Sequence, residues 1–199
     1  MLQRDEETPL TERHRKLVEE AEKSCARLVA LVAEMSEVSR LDAGLTTLDR
    51  TMLDIFALIQ ELAAGMHEAR DRDVRFETLG NAAGAAMLGD SVRLRTAFSA
   101  IFRAVLREQP AACTVVAERR IESRDGSSSA VIVVAERSIL QAVSASKPGP
   151  FDEKRGGLGL ALPIARRIIE GHGGRLWAPS SAAERGAAIV SLPLVELNR

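Results

Sequence analysis

Seam positions recur along the first forty residues at Leu10, His14, Leu17, Ala21, Ser24, Leu28, Leu31, Met35 and Val38. Their steps alternate four and three, the heptad spacing of one long helix. Val18, Cys25 and Val32 widen the stripe into the broad face that helical bundles bury. Thr8-Pro9 is a start signal and Asp42-Ala43-Gly44 a stop signal, so the pattern predicts a single long helix. Such a helix is not stable alone. It must pack on another, most simply the same helix of a second chain.

Beyond residue 46 the elements shorten. Ile55, Leu58, Ile59, Leu62 and Met66 share one face of a helix expected over 52–70. Alternation over 74–79 predicts a strand, and the small residues of 82–86 a linker. Leu94, Ala97, Phe98, Ile101, Phe102 and Val105 form the apolar face of a helix over 91–108, which Pro110 ends. Strands over 113–121 and 129–135 meet at Arg124-Asp125-Gly126, a hairpin signal. A polar stretch over 144–155 reads as a loop. A helix to about Glu170 follows, then strands over 174–178 and 186–192. The expected class is α+β, with helices layered on one face of a mixed sheet behind a long bundle-forming helix. Two units are expected, 1–45 and 46–199.

Composition narrows the function. A formal net charge of -1 gives no global attraction to nucleic acid or to an anionic membrane. Aromatic residues are 3% and tyrosine is absent, which argues against an RNA-stacking platform. No apolar run is long enough to span a bilayer, and the acidic N-terminal stretch lacks the apolar centre of a signal peptide. Cys25 and Cys113 read as buried free thiols, in keeping with a reduced, cytoplasmic protein.

The candidate chemistry lies at Gly156-Gly157-Leu158-Gly159-Leu160, followed by a helical run and then Gly171-His172-Gly173-Gly174. Clustered glycines let backbone amides approach a ligand, and the helix start behind them presents further amides to an anion. No Walker-type Gly-Lys-Ser/Thr is present. This stretch, through Leu192-Pro193, resembles the second glycine box, last helix and final strands of the histidine-kinase ATPase superfamily. Ser39-Arg40-Leu41-Asp42-Ala43-Gly44 is similar to the end of the second dimerisation helix of sensor histidine kinases, and Gly89-Asp90-Ser91-Val92-Arg93-Leu94 to the lead-in of their asparagine-box helix.

The resemblance implies a two-layer α/β sandwich that binds ATP and Mg²⁺, with Gly156, Gly157, Leu158, Gly159 and Leu160 as nucleotide-site residues. Departures from the family pattern point away from catalysis. Ala100 and Ala104 stand at the asparagine positions, and alanine offers no oxygen to a hard cation. After the strand at 129–135 the text is Val134-Ala135-Glu136-Arg137-Ser138-Ile139, without the aspartate that would meet adenine. Arg155 stands where the glycine box usually opens with Gly. The family's phosphorylated histidine belongs to a first dimerisation helix, and only the second is recognisable here. Thr8-Pro9-Leu10-Thr11 echoes that helix but would place Arg4 at the histidine position. His14 reads as a seam residue, His67 as solvated and His172 as a helix-terminus residue. Arg166 and Arg167 read as a solvated helix face, and Trp177 as core or edge cover.

The expected function is thus a two-component signal transduction protein, histidine-kinase-like with a degenerate ATP-binding domain, acting as a regulatory module. No catalytic residue and no metal ligand are assigned. ATP and Mg²⁺ enter only if the nucleotide site is retained. The expected partners are a second copy through the 10–41 helix, and a response regulator or partner histidine kinase. The alternative is an ATP-dependent kinase core that phosphorylates a histidine on a partner chain.

Overall fold

The computed structural model describes residues 11–44, 46–66, 73–109, 112–124, 126–156, 159–180 and 186–195. The first helix, α1 (Glu12–Asp42), starts at Thr11, whose Oγ1 accepts the His14 amide at 3.3 Å. None of its residues is buried. Leu17, Leu28, Val29, Val32 and Met35 are more than half exposed, and Cys25 is exposed as well, contrary to the expected buried thiol. A seam residue on a helix with no facing partner stays in water. Only the last turns dock, where Val38 and Leu41 pack against the core of the sheet domain.

The helix expected over 52–70 is shorter at both ends: 52–54 are not helical, the helix stops at Ala64, and 67–70 lie outside the described residues. Thr51–Asp54 forms β1, paired antiparallel with β3 (Ala86–Gly89), so that Met52 faces Leu88. Helix α2 (Ile55–Ala64) begins one residue later because Asp54 caps it. Asp54 Oδ1 accepts the amides of Phe56 at 2.9 Å and Ala57 at 3.3 Å, and Oδ2 accepts that of Gly84 at 2.6 Å. Burial pushes this carboxyl up, but the amide hydrogen bonds outweigh it and hold it below its ordinary value.

The main sheet has six strands in the order β2-β4-β5-β8-β7-β6. They are β2 (Val74–Gly80), β4 (Cys113–Arg124), β5 (Ser127–Glu136), β6 (Pro148–Gly149), β7 (Arg175–Pro179) and β8 (Ala188–Pro193). β2 and β4 are parallel and the other pairs antiparallel, so the sheet is mixed as expected. Helices α3 (Ser91–Glu108) and α5 (Ala161–Gly171) pack beside α2 on the principal core. Leu94, Phe98, Ile101 and Phe102 of α3 are fully buried there, each contributing about 2 kcal/mol of apolar burial.

The second face of the sheet is covered too, which the sequence reading did not anticipate. A 3₁₀ turn (Arg137–Ile139) and α4 (Leu140–Ala145) set Leu140 and Val143 against Val116, Val131, Val133, Ala135 and Ile189. The reason is visible along β5. Ala130, Ile132 and Val134 point to the principal core, and Val131, Val133 and Ala135 to the other face. A strand that is apolar on both faces needs cover on both. Trp177 packs half-buried against this second cluster, with the Arg175 guanidinium 6.0 Å from its ring.

Candidate functional site

Helix α3 begins at Asp90, whose Oδ1 accepts the Arg93 amide at 3.1 Å. The other carboxylate oxygen accepts the Asp49 amide at 3.2 Å, and the Asp90 amide itself donates to His172 Nε2 at 2.9 Å. His172 Nδ1 lies 2.7 Å from the Ile168 carbonyl oxygen, so the neutral ring with its proton on Nδ1 satisfies both contacts. Burial drives the His172 pKa below its ordinary value. Two of the sequence motifs, Gly89-Asp90 and Gly171-His172-Gly173-Gly174, therefore meet in one buried junction. Space at Gly89 is tight: a Cβ there would lie 2.9 Å from Leu94 Cδ1 and 3.2 Å from the His172 ring, so those side chains would have to shift.

The cleft lies at the other end of α5. A cavity of about 400 Å³ opens between α3 and the start of α5, lined by Arg95, Thr96, Ser99, Ala100, Arg103, Arg107, Ala161 and Leu162. Arg95, Ser99, Arg103 and Arg107 follow one another at four-residue steps, so one stripe of α3 faces the cavity. That step was readable in the sequence and was missed. Ala100 is half-buried and packs on the core, and Ala104 is buried within it.

The donor set decides whether Mg²⁺ with a nucleotide fits. Mg²⁺ requires oxygen ligands. Among the described lining residues the side-chain oxygens are two hydroxyls, and that of Thr96 already donates to the Val92 carbonyl oxygen at 3.1 Å. Three guanidinium groups share the lining with Ala100, Ala161 and Leu162, and that of Arg95 pairs with Glu61. This set does not suit a hard cation. Glu136 ends β5 and accepts the Ser138 hydroxyl at 2.8 Å; it does not line the cavity.

Of the glycine-box residues, Gly156 closes a 3₁₀ turn (Glu153–Gly156), and Gly159 and Leu160 immediately precede α5. Gly157 and Leu158 lie outside the described residues. The Leu160 amide donates to Glu34 Oε2 of α1 at 2.8 Å. Nothing near Glu34 in the sequence signals this contact, because it is made across 126 positions. Arg166 and Arg167 are not simply solvated. Arg166 bridges Glu153 and Glu170, and Arg167 pairs with Asp42 at the end of α1. His14 is exposed on α1, and His67 lies outside the described residues.

With this geometry in hand, three solved structures align over nearly the whole chain. Histidine kinase AdeS of Acinetobacter baumannii aligns with a TM-score of 0.59 and 14% identity, over 96% of this chain and 87% of that one. Full-length ShkA in complex with AMPPNP gives 0.67 and 19%, over 95% of this chain and 40% of that one. Histidine kinase ThkA in complex with the response regulator TrrA gives 0.60 and 18%, over 98% and 55%. The chain has the fold of a histidine-kinase core. Sensor protein FixL of Bradyrhizobium diazoefficiens is 44% identical over 48 residues, which are 24% of this chain and 10% of that relative. No protein-family profile matches the chain. The arginine-lined cleft sits between α3 and the start of α5. Among the described residues no helix is long and apolar enough to cross a membrane, and no three His, Cys, Asp or Glu side chains gather as a metal site.

Proposed function

We propose that this protein acts in two-component signal transduction as a regulatory, histidine-kinase-like module whose ATPase-type domain no longer performs phosphoryl transfer. One observation carries the reading. The cleft between α3 and α5 offers Ala100 where the family offers an asparagine, Ala104 is buried in the core, and the side-chain oxygens lining the cleft that could hold Mg²⁺ are two hydroxyls. Residues 1–45 are the helical dimerisation segment and 46–199 the ATPase-like domain. The exposed seam of α1 supports pairing with a second copy through the 10–41 helix. A response regulator or a genuine histidine kinase is the further partner, and the setting is the cytoplasm. Isothermal titration with ATP and Mg²⁺ tests the reading. Affinity no tighter than about millimolar is expected, since several lost contacts at about 1.4 kcal/mol per decade remove a micromolar site. Micromolar binding would remove the proposal.

A second reading is favoured by one contact. The Leu160 amide at the start of α5 faces a carboxylate, as an amide that can meet an anion does. In that case the protein is an ATP-dependent kinase core acting on a histidine of a partner chain. Incubation with radiolabelled ATP and candidate partner domains separates the two readings, and labelled histidine in the partner would establish the second.

A further inference from the structure

Helix α1 carries two separate faces. Glu34, Glu37, Val38 and Leu41 meet the sheet domain, where Glu37 pairs with Arg93 and Glu34 Oε2 accepts the Leu160 amide at 2.8 Å. The seam that holds Leu17, Leu28 and Met35 is more than half exposed. At 3.6 residues per turn it lies about a quarter turn from the docked face. Docking on the domain therefore leaves the seam open to a second copy. Charge decides the direction in which that copy runs. One flank of the seam carries Arg13, Glu20, Arg27 and Glu34, which alternate in sign every seven residues. In a parallel pair this flank faces the other flank of the partner, which carries Val18, Cys25, Val32 and Ser39 and no charge. In an antiparallel pair it faces itself, so that Arg13 meets the partner's Glu34 and Glu20 meets the partner's Arg27.

We propose that α1 pairs with α1 of a second copy in antiparallel register, centred between Ala21 and Ser24. The inference rests on reading this helix as the dimerisation segment, and it adds the direction of the pair. Leu17 then packs on the partner's Leu28, and His14 on the partner's Leu31. At the crossing Ala21 lies against the partner's Ser24, where small side chains let the two helices approach. The uncharged flank closes as well, with Val18 on the partner's Cys25. By the two-fold symmetry each charge pair occurs twice, and all four join opposite signs. A helix of 31 residues is about 45 Å long. The pair therefore carries its two sheet domains at opposite ends, each beside the start of the partner's α1, whereas a parallel pair would place both at the same end.

The test uses the full chain. Sedimentation equilibrium is read for the wild type, Glu20→Lys, Arg27→Glu and the double variant. Each single change sets two like-charged pairs across the antiparallel seam and should weaken the dimer about tenfold. The double variant exchanges the signs and should return to within about threefold of the wild type. Losses that add in the double variant, or single variants that dimerise as the wild type does, would overturn the antiparallel pairing. Cysteine cross-linking under mild oxidation reads the direction independently, in a Cys25→Ser background. Leu17→Cys mixed with Leu28→Cys should give a disulfide-linked dimer. Leu17→Cys alone should not, because the two copies of position 17 lie about 16 Å apart along the axis, beyond the reach of a disulfide. Linkage of Leu17→Cys alone would mark a parallel pair and overturn the inference while leaving the dimerisation reading intact. A chain that stays monomeric at every concentration would remove that reading itself.

Discussion

The two ends of α5 are closed in opposite ways. At its C-terminus, His172 is buried within the domain, with the Asp90 amide on one ring nitrogen and the Ile168 carbonyl at the other. The Gly174 amide donates to the Ile169 carbonyl oxygen at 2.9 Å and completes the turn. At its N-terminus the helix has no cap of its own and takes Glu34 from α1. An end sealed inside one hydrophobic core belongs to the stability of that core. An end sealed by another element across a half-exposed seam can be opened without unfolding anything. One helix of eleven residues is thus closed at one end from within the sheet domain and at the other by α1.

The sharpest way to break the comparison is at Gly174. A Cβ there would lie 2.7 Å from Leu192 Cδ2 and closer still to the Ser191 carbonyl oxygen, which is backbone and cannot rotate away. Gly174→Val should cost about 3 kcal/mol in urea denaturation, through overpacking against a fixed strand. A smaller loss, about 2 kcal/mol, is expected for His172→Ala, which leaves the Asp90 amide buried without its acceptor.

The same histidine sets a pH dependence. Its pKa is lowered in the fold, so between the folded and unfolded values the unfolded chain binds the extra proton. Stability therefore rises with pH through this window, and it is lost as pH falls below about 6.5 towards the folded value. Denaturation midpoints between pH 5 and 8, flattened in His172→Ala, check the sign. At the opposite end, Arg167→Ala should leave the midpoint nearly unchanged, because its partner Asp42 sits in water. Exchange of 31–42 should nevertheless quicken, and added salt should quicken it in the wild type too. If Arg167→Ala destabilised the domain as His172→Ala does, the distinction between the two ends would collapse.

Periodicity and punctuation made most of the domain legible. Helix 91–108 was readable to the residue, because Asp90 caps it locally and its apolar face repeats without interruption. The hairpin of β4 and β5 followed from the turn signal Arg124-Asp125-Gly126 between two apolar runs. Misreadings arose where local pattern and tertiary pairing disagree. Met52 and Leu53 continue an apolar run towards α2, yet pairing with Leu88 and Met87 draws them into a strand. Six consecutive apolar residues from Ala130 to Ala135 already implied cover on both faces of β5, and that signal was passed over. The arginine stripe of α3 was likewise open to view.

By itself, then, the sequence determined most of the elements, the alanines of α3 and the glycines of the loop, since each depends on a residue's own chemistry or its near neighbours. Only the tertiary structure decided that Asp90 and His172 share a junction and that Glu34 fills the start of α5. Those contacts join residues 82 and 126 positions apart. No local spacing encodes them, because they exist only once the helices and the sheet have packed.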